Sequence, residues 1–113
     1  MPGSQKEKSW STPRAFSRFL LDIRLVIRAK KEVLHGRSKD LGEGGLGAVI
    51  PGNIQIGDVV TLEFQLPLHS EPLSLQAEVR YRQGFQYGFR FLHPTDQQKE
   101  RIRHATRDLP AAP

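Results

Sequence analysis

From Leu73 to Arg82 the chain alternates without a break. Leu73, Leu75, Ala77, Val79 and Tyr81 are apolar or aromatic, while Ser74, Gln76, Glu78, Arg80 and Arg82 between them are polar. A period of two over ten residues describes a strand with one dry face and one wet face. The same period runs through Val60, Leu62, Phe64 and Leu66, with Thr61, Glu63 and Gln65 between them. It returns from Phe85 to Phe91, and from Asp22 to Arg28 with Ile23, Leu25 and Ile27 on the apolar side. Two weaker segments, Glu32 to Leu41 and Leu46 to Ile50, read as further strands, the second stopped by Pro51-Gly52. The breaks hold turn formers: Pro67, His69, Ser70 and Pro72, then Gln83-Gly84. Short strands at this spacing predict an all-β fold, an antiparallel sheet closed into a small barrel or sandwich. The C-terminus changes period. Thr95 and Gln98 have capping-box spacing, and Ile102, Ala105 and Leu109 share a helical face until Pro110 ends it.

The 113 residues suit one domain with one core. There are no cysteines, which excludes disulfides and thiolate metal sites. No run approaches the ~18 apolar residues of a membrane span, and MPGSQKEKSWST lacks the apolar centre of a signal peptide. The expected localisation is cytoplasmic, with no membrane partner. The net charge of +5 is unevenly placed. Up to Lys39 there are ten basic and three acidic residues; after it, seven basic and nine acidic. The first third can attract an anionic partner, or it can simply be a solvated basic face.

Asp40 to Gly47 reads DLGEGGLG, and Gly42 to Gly47 fits the dinucleotide fingerprint G-x-G-x-x-G. That fingerprint works only when a helix starts at its last glycine and offers free N–H groups to a pyrophosphate. Here AVIPGNIQIGDVV follows, with two glycines, a proline and many β-branched residues, and no amphipathic helix can be written through it. The match is coincidental. His35, His69, His93 and His104 show no metal-ligand spacing, no G-x-S-x-G occurs, and no Ser/His/Asp set stands out. No enzyme, cofactor or metal is expected.

With its context, the octet has another reading. Asp40-Leu41-Gly42-Glu43-Gly44-Gly45 resembles D-x-S-x-x-G with glycine in the serine position, and Arg14 to Arg18 upstream is an R-x-x-x-R. The order and spacing resemble a PilZ domain, the bacterial receptor module for cyclic di-GMP. Gly44-Gly45-Leu46-Gly47 leading into a strand, Ile56-Gly57-Asp58 before another, and Gly88-Phe89-Arg90-Phe91 extend the resemblance to the terminal helix. It implies a six-stranded antiparallel β-barrel with a C-terminal α-helix and a flexible N-terminal segment. The expected layout is a flexible tail over residues 1–12, a barrel domain with its helix over 13–109, and a tail over 110–113.

R-x-x-x-R also occurs at Arg24/Arg28 and Arg103/Arg107. Arg24 and Arg28 fall inside an alternating strand, whereas Arg14 and Arg18 precede it in a segment free to fold over the barrel. The family likewise has its pair before the first strand. The resemblance therefore implies a cyclic di-GMP site of Arg14, Arg18, Asp40, Gly42 and Gly45. Arginine offers a planar fork to phosphate oxygens and a flat cation to a base. Asp40 would accept from the N1–H and N2–H₂ edge of guanine, and Gly45 would allow close approach. Gly42 departs from the pattern: a missing serine hydroxyl costs about 0.5–1.5 kcal/mol, and Gly42→Ser is expected to raise affinity. Arg37, Lys39 and Arg82 add to the basic surface without an assigned contact.

The leading expectation is thus a non-catalytic cyclic di-GMP receptor that changes its N-terminal segment and surface to signal to an unidentified partner protein. The alternative is a degenerate PilZ-like adaptor that binds proteins without nucleotide, in keeping with Gly42. Nucleic acid is a third, weaker partner: Phe64, Tyr81, Phe85, Tyr87, Phe89 and Phe91 fall mainly on inferred inward faces, not on an exposed stacking platform.

Overall fold

A computed structural model describes residues 16–113. Among these residues there are seven strands: β1 (Arg18–Leu20), β2 (Arg24–Arg28), β3 (Val33–Gly42), β4 (Gly45–Val49), β5 (Val59–Phe64), β6 (Leu73–Gln83) and β7 (Gln86–Phe91). One helix among the described residues, α1 (Asp96–Thr106), follows. All pairings are antiparallel, in the order β1-β3-β2-β5-β6-β7-β4, and β4 pairs back onto β3. Strands β2 to β7 therefore close a six-stranded barrel, with β1 as an extra strand. The structure has the expected fold.

The alternating residues explain the closure. Leu73, Leu75, Ala77 and Val79 of β6 point inward with Val60, Leu62 and Phe64 of β5, and each is buried. Leu25 and Ile27 of β2, Leu46 and Ala48 of β4, and Tyr87, Phe89 and Phe91 of β7 complete the barrel's lining. Thr95 caps α1: its hydroxyl accepts from the Gln98 N–H while the Gln98 side chain accepts from the Thr95 N–H. Ile102 and Ala105 bury against the barrel as expected. Leu109 lies beyond the helix, which stops at Thr106, a buried residue whose hydroxyl donates to the Ile102 carbonyl at 2.8 Å.

Two of the aromatic residues expected inside are not. The β6–β7 register shifts between Val79 and Tyr81, so two steps on β6 match one on β7. Such a bulge turns the following side chains over. Tyr81 pairs with Gly88 on the outside, and Arg82 faces Tyr87 on the inside, 5.3 Å from its ring centre. Phe85 sits exposed at the hairpin tip beside Gly84, whose φ of +62° glycine adopts without strain.

β3 is ten residues long, and that length positions the candidate site. Its first half, Val33 to Arg37, pairs with β2; its last three residues, Asp40 to Gly42, pair with β1 on the same edge. The outer edge of β1 is covered in turn. The Leu20 N–H donates to the Pro110 carbonyl at 2.8 Å, and the Ala112 N–H donates to the Arg18 carbonyl at 2.9 Å. Residues 110–112, expected as a tail, run beside the extra strand.

Candidate functional site

The expected site falls where β1, β3 and β4 meet. Arg14 lies outside the described residues. Arg18, expected in a loose leader, is instead the first residue of β1 and pairs with Gly42. The correction has a simple cause: the end of β3 has an edge left open by β2, and β1 fills it. This register brings Arg18 to Asp40. Arg18 Nη1 donates to Asp40 Oδ1 at 2.8 Å, and the two side chains are only 14% and 18% exposed. The same Oδ1 accepts from the Gly47 N–H at 2.9 Å. One carboxylate oxygen thus ties three strands together.

The glycines of the octet serve close approach, not turn geometry. Among the described residues the left-handed glycines are Gly57 and Gly84, neither of them in the octet. A Cβ on Gly45 would stand 2.0 Å from the Phe89 carbonyl oxygen and 3.0 Å from Arg18 Nη2. A Cβ on Gly42 would stand 2.2 Å from the Ser17 carbonyl oxygen. The absence of a side chain at 42 is what lets β1 lie this close to β3. The expected gain from Gly42→Ser is therefore opposed by sterics: a serine there has to displace the Ser17 backbone before its hydroxyl can meet a ligand.

One row across the barrel wall escaped the sequence reading. Asp40 pairs with Gly47, Gly47 with Gly88, and Gly88 with Tyr81. Two glycines side by side make an outward floor with no side chains, bounded by the Arg18–Asp40 pair at one end and the half-buried Tyr81 ring at the other. The Tyr81 hydroxyl donates to Gln83 Oε1 at 2.5 Å, which holds the ring by its outer end. Tyr81 was missed because unbroken alternation assigns it inward; Gly47 and Gly88, at outward positions of two apolar strands, were the available signal.

The helix is fastened to the same edge. Glu43, in the β3–β4 turn, makes two bonds to Arg103 of α1, at 2.9 and 3.0 Å. The hydrogen bonds that Arg103 donates to Glu43 raise its pKa above the ordinary value, as the bond to Glu63 does for Arg28. Lys99 lies over the Phe16 ring, 5.7 Å from its centre. Among the described residues no group of three or more His, Asp or Glu side chains could hold a metal ion.

Comparison with known proteins adds the decisive observation. The family model described as PilZ domain matches residues 12–108. The chain belongs to the PilZ domain family. No curated protein sequence matches it. Solved structures do resemble this PilZ domain. The PilZ domain of YcgR from Escherichia coli with c-di-GMP has a TM-score of 0.72 at 18% identity, covering 87% of this chain and 92% of that one. The PilZ domain of CeSA from a cellulose-synthesizing bacterium has a TM-score of 0.62 at 19% identity, covering 78% and 93%. The Bacillus subtilis inhibitor of motility MotI/DgrA has a TM-score of 0.71 at 18% identity. The likeness covers 85% of this chain but half of that longer one. At these identities the likeness concerns the fold. No helix among the described residues is long and apolar enough to cross a membrane.

Proposed function

We propose that this PilZ domain is a non-catalytic cyclic di-GMP receptor. The observation that supports this most is the largely buried Arg18–Asp40 pair beside the side-chain-free Gly47–Gly88 floor. A guanidinium and a carboxylate there match the two features of the ligand, a phosphodiester anion and a guanine edge with two adjacent donors. The ligand resolves the pair by exchange. Phosphate oxygens take the Arg18 fork, guanine takes the Asp40 oxygens, and Arg14, four residues upstream, supplies a second cation. Hydrogen bonds to charged groups contribute roughly 1.5–3 kcal/mol each, and micromolar binding needs about 8 kcal/mol, so the exchange requires the floor and Tyr81 as well. Because β1 carries Arg18 and also holds residues 110–112, the exchange reaches the surface that a partner protein meets.

Titration calorimetry tests this reading. We expect saturable binding at micromolar concentrations that is lost in Asp40→Ala. No heat at several hundred micromolar cyclic di-GMP would reject it. Two observations favour the adaptor alternative: Arg18 and Asp40 already satisfy each other, and the Ser17 carbonyl occupies the space beside Gly42. An adaptor of this kind would give no heat in the same titration.

A further inference from the structure

A second concave surface lies outside the candidate ligand site. A groove of about 1030 Å³ opens on the outer face of β2, β3 and the end of β4. Its rim holds Arg24, Arg37, Lys39 and His35; Val26 and Val49 contribute aliphatic surface. Arg24 and Arg37 are direct cross-strand partners, and like charges opposite each other on a sheet repel. Arg37 is offset by Asp22, whose Oδ1 accepts from Arg37 Nε at 2.6 Å, and Lys39 donates to Gln86 at 3.2 Å. The Arg24 side chain makes no hydrogen bond or ion pair among the described residues. The rim thus carries three fixed cations and a histidine against one carboxylate.

We infer that this groove is the docking site for an acidic, aliphatic-rich segment of a partner protein. The charge of the rim calls for carboxylates, and the valines call for aliphatic side chains between them. No Phe, Tyr or Trp lines the groove, so it lacks the row of large aromatic platforms on which successive bases of a single strand stack. The surface also adjoins the ligand edge. Asp22 belongs to the short link between β1 and β2, and Ser38 clamps that link by donating to the Leu21 carbonyl and accepting from the Ile23 N–H. A partner seated on Arg24 and Arg37 would therefore contact the segment that Arg18 leads into.

The test is selection of a random dodecapeptide display library on the whole chain. Synthetic copies of the selected peptides are then titrated against the wild type, Arg24→Glu/Arg37→Glu and Arg24→Gln. The expected result is an Asp/Glu-rich, aliphatic consensus. Binding should move the amide signals of Val26, His35 and Val49, weaken at least tenfold in the double variant and several-fold in Arg24→Gln, and fall with salt. Arg24→Gln removes a side chain with no partner to lose, so it reports even if the double variant misfolds. A consensus without acidic residues, equal binding by Arg24→Gln, or displacement of the peptides by a single-stranded oligonucleotide would overturn the inference. Cyclic di-GMP titration of Arg24→Gln separates this from the receptor reading: nucleotide affinity should stay at the wild-type value while peptide affinity drops.

Discussion

Two arginines ten residues apart, Arg18 of β1 and Arg28 of β2, show how differently one side chain behaves on two strands that both pair with β3. Each makes an ion pair of nearly equal length, 2.8 Å to Asp40 and 2.9 Å to Glu63. Arg18 and Asp40 are 14% and 18% exposed; Arg28 and Glu63 are 54% and 33% exposed. Arg28 lies on the outer face of β2, a strand fixed by Leu25 and Ile27 in the core, and water can replace its partner. Arg18 sits where the glycines allow backbone to crowd backbone, so its partner is held by β3 and β4 together. Arg14/Arg18 and Arg24/Arg28 have the same R-x-x-x-R spacing in the sequence. Packing, not spacing, sets what each arginine can do.

Four substitutions would break or sharpen this contrast. The largest effect belongs to Gly45→Ala, which drives a Cβ into the Phe89 carbonyl; we expect a loss of about 3 kcal/mol in denaturant unfolding. Gly42→Ala comes next. Its close neighbours are the Ser17 carbonyl and the Arg18 side chain, both at the start of β1, so β1 can lift away; the loss should be about 1–2 kcal/mol, with faster amide exchange at Leu20 and Ala112. A loss as large as that of Gly45→Ala would mean that β1 cannot lift. Arg18→Ala leaves Asp40 its Gly47 N–H; we expect about 1 kcal/mol of stability lost, but at least a tenfold loss of cyclic di-GMP affinity by calorimetry. Arg28→Ala, the smallest change, should leave the unfolding midpoint and the cyclic di-GMP affinity at the wild-type values. An affinity loss in Arg28→Ala matching that of Arg18→Ala would end the distinction between the two strands. The raised pKa values of Arg28 and Arg103 keep both cations charged. Stability from raised cationic groups is present below their unfolded values and lost only as pH rises through the folded ones, so these pairs give no pH dependence near neutrality.

The barrel was readable because its strands bury one face each. Leu73 to Val79 and Val60 to Phe64 point inward in the phase that the sequence spells out. The helix cap at Thr95 was readable because a capping box is local. Asp40 and Gly45 were singled out through a motif, and the structure places both beside Arg18. Three features were not legible, each for a long-range reason. β1 has only three residues, too few for any period to show, and it exists because β3 outruns β2. Tyr81 turned outward through a bulge that inserts one residue, a change that alternation cannot register. The basic groove depends on Arg24 meeting Arg37 across two strands, a register that composition does not carry.

The bond from the Ala112 N–H to the Arg18 carbonyl has a practical consequence. A dye or tether attached at the C-terminal end of the described chain would ride on the strand that carries Arg18. An environment-sensitive fluorophore placed there becomes a built-in gauge of whether that arginine has let go of its carboxylate.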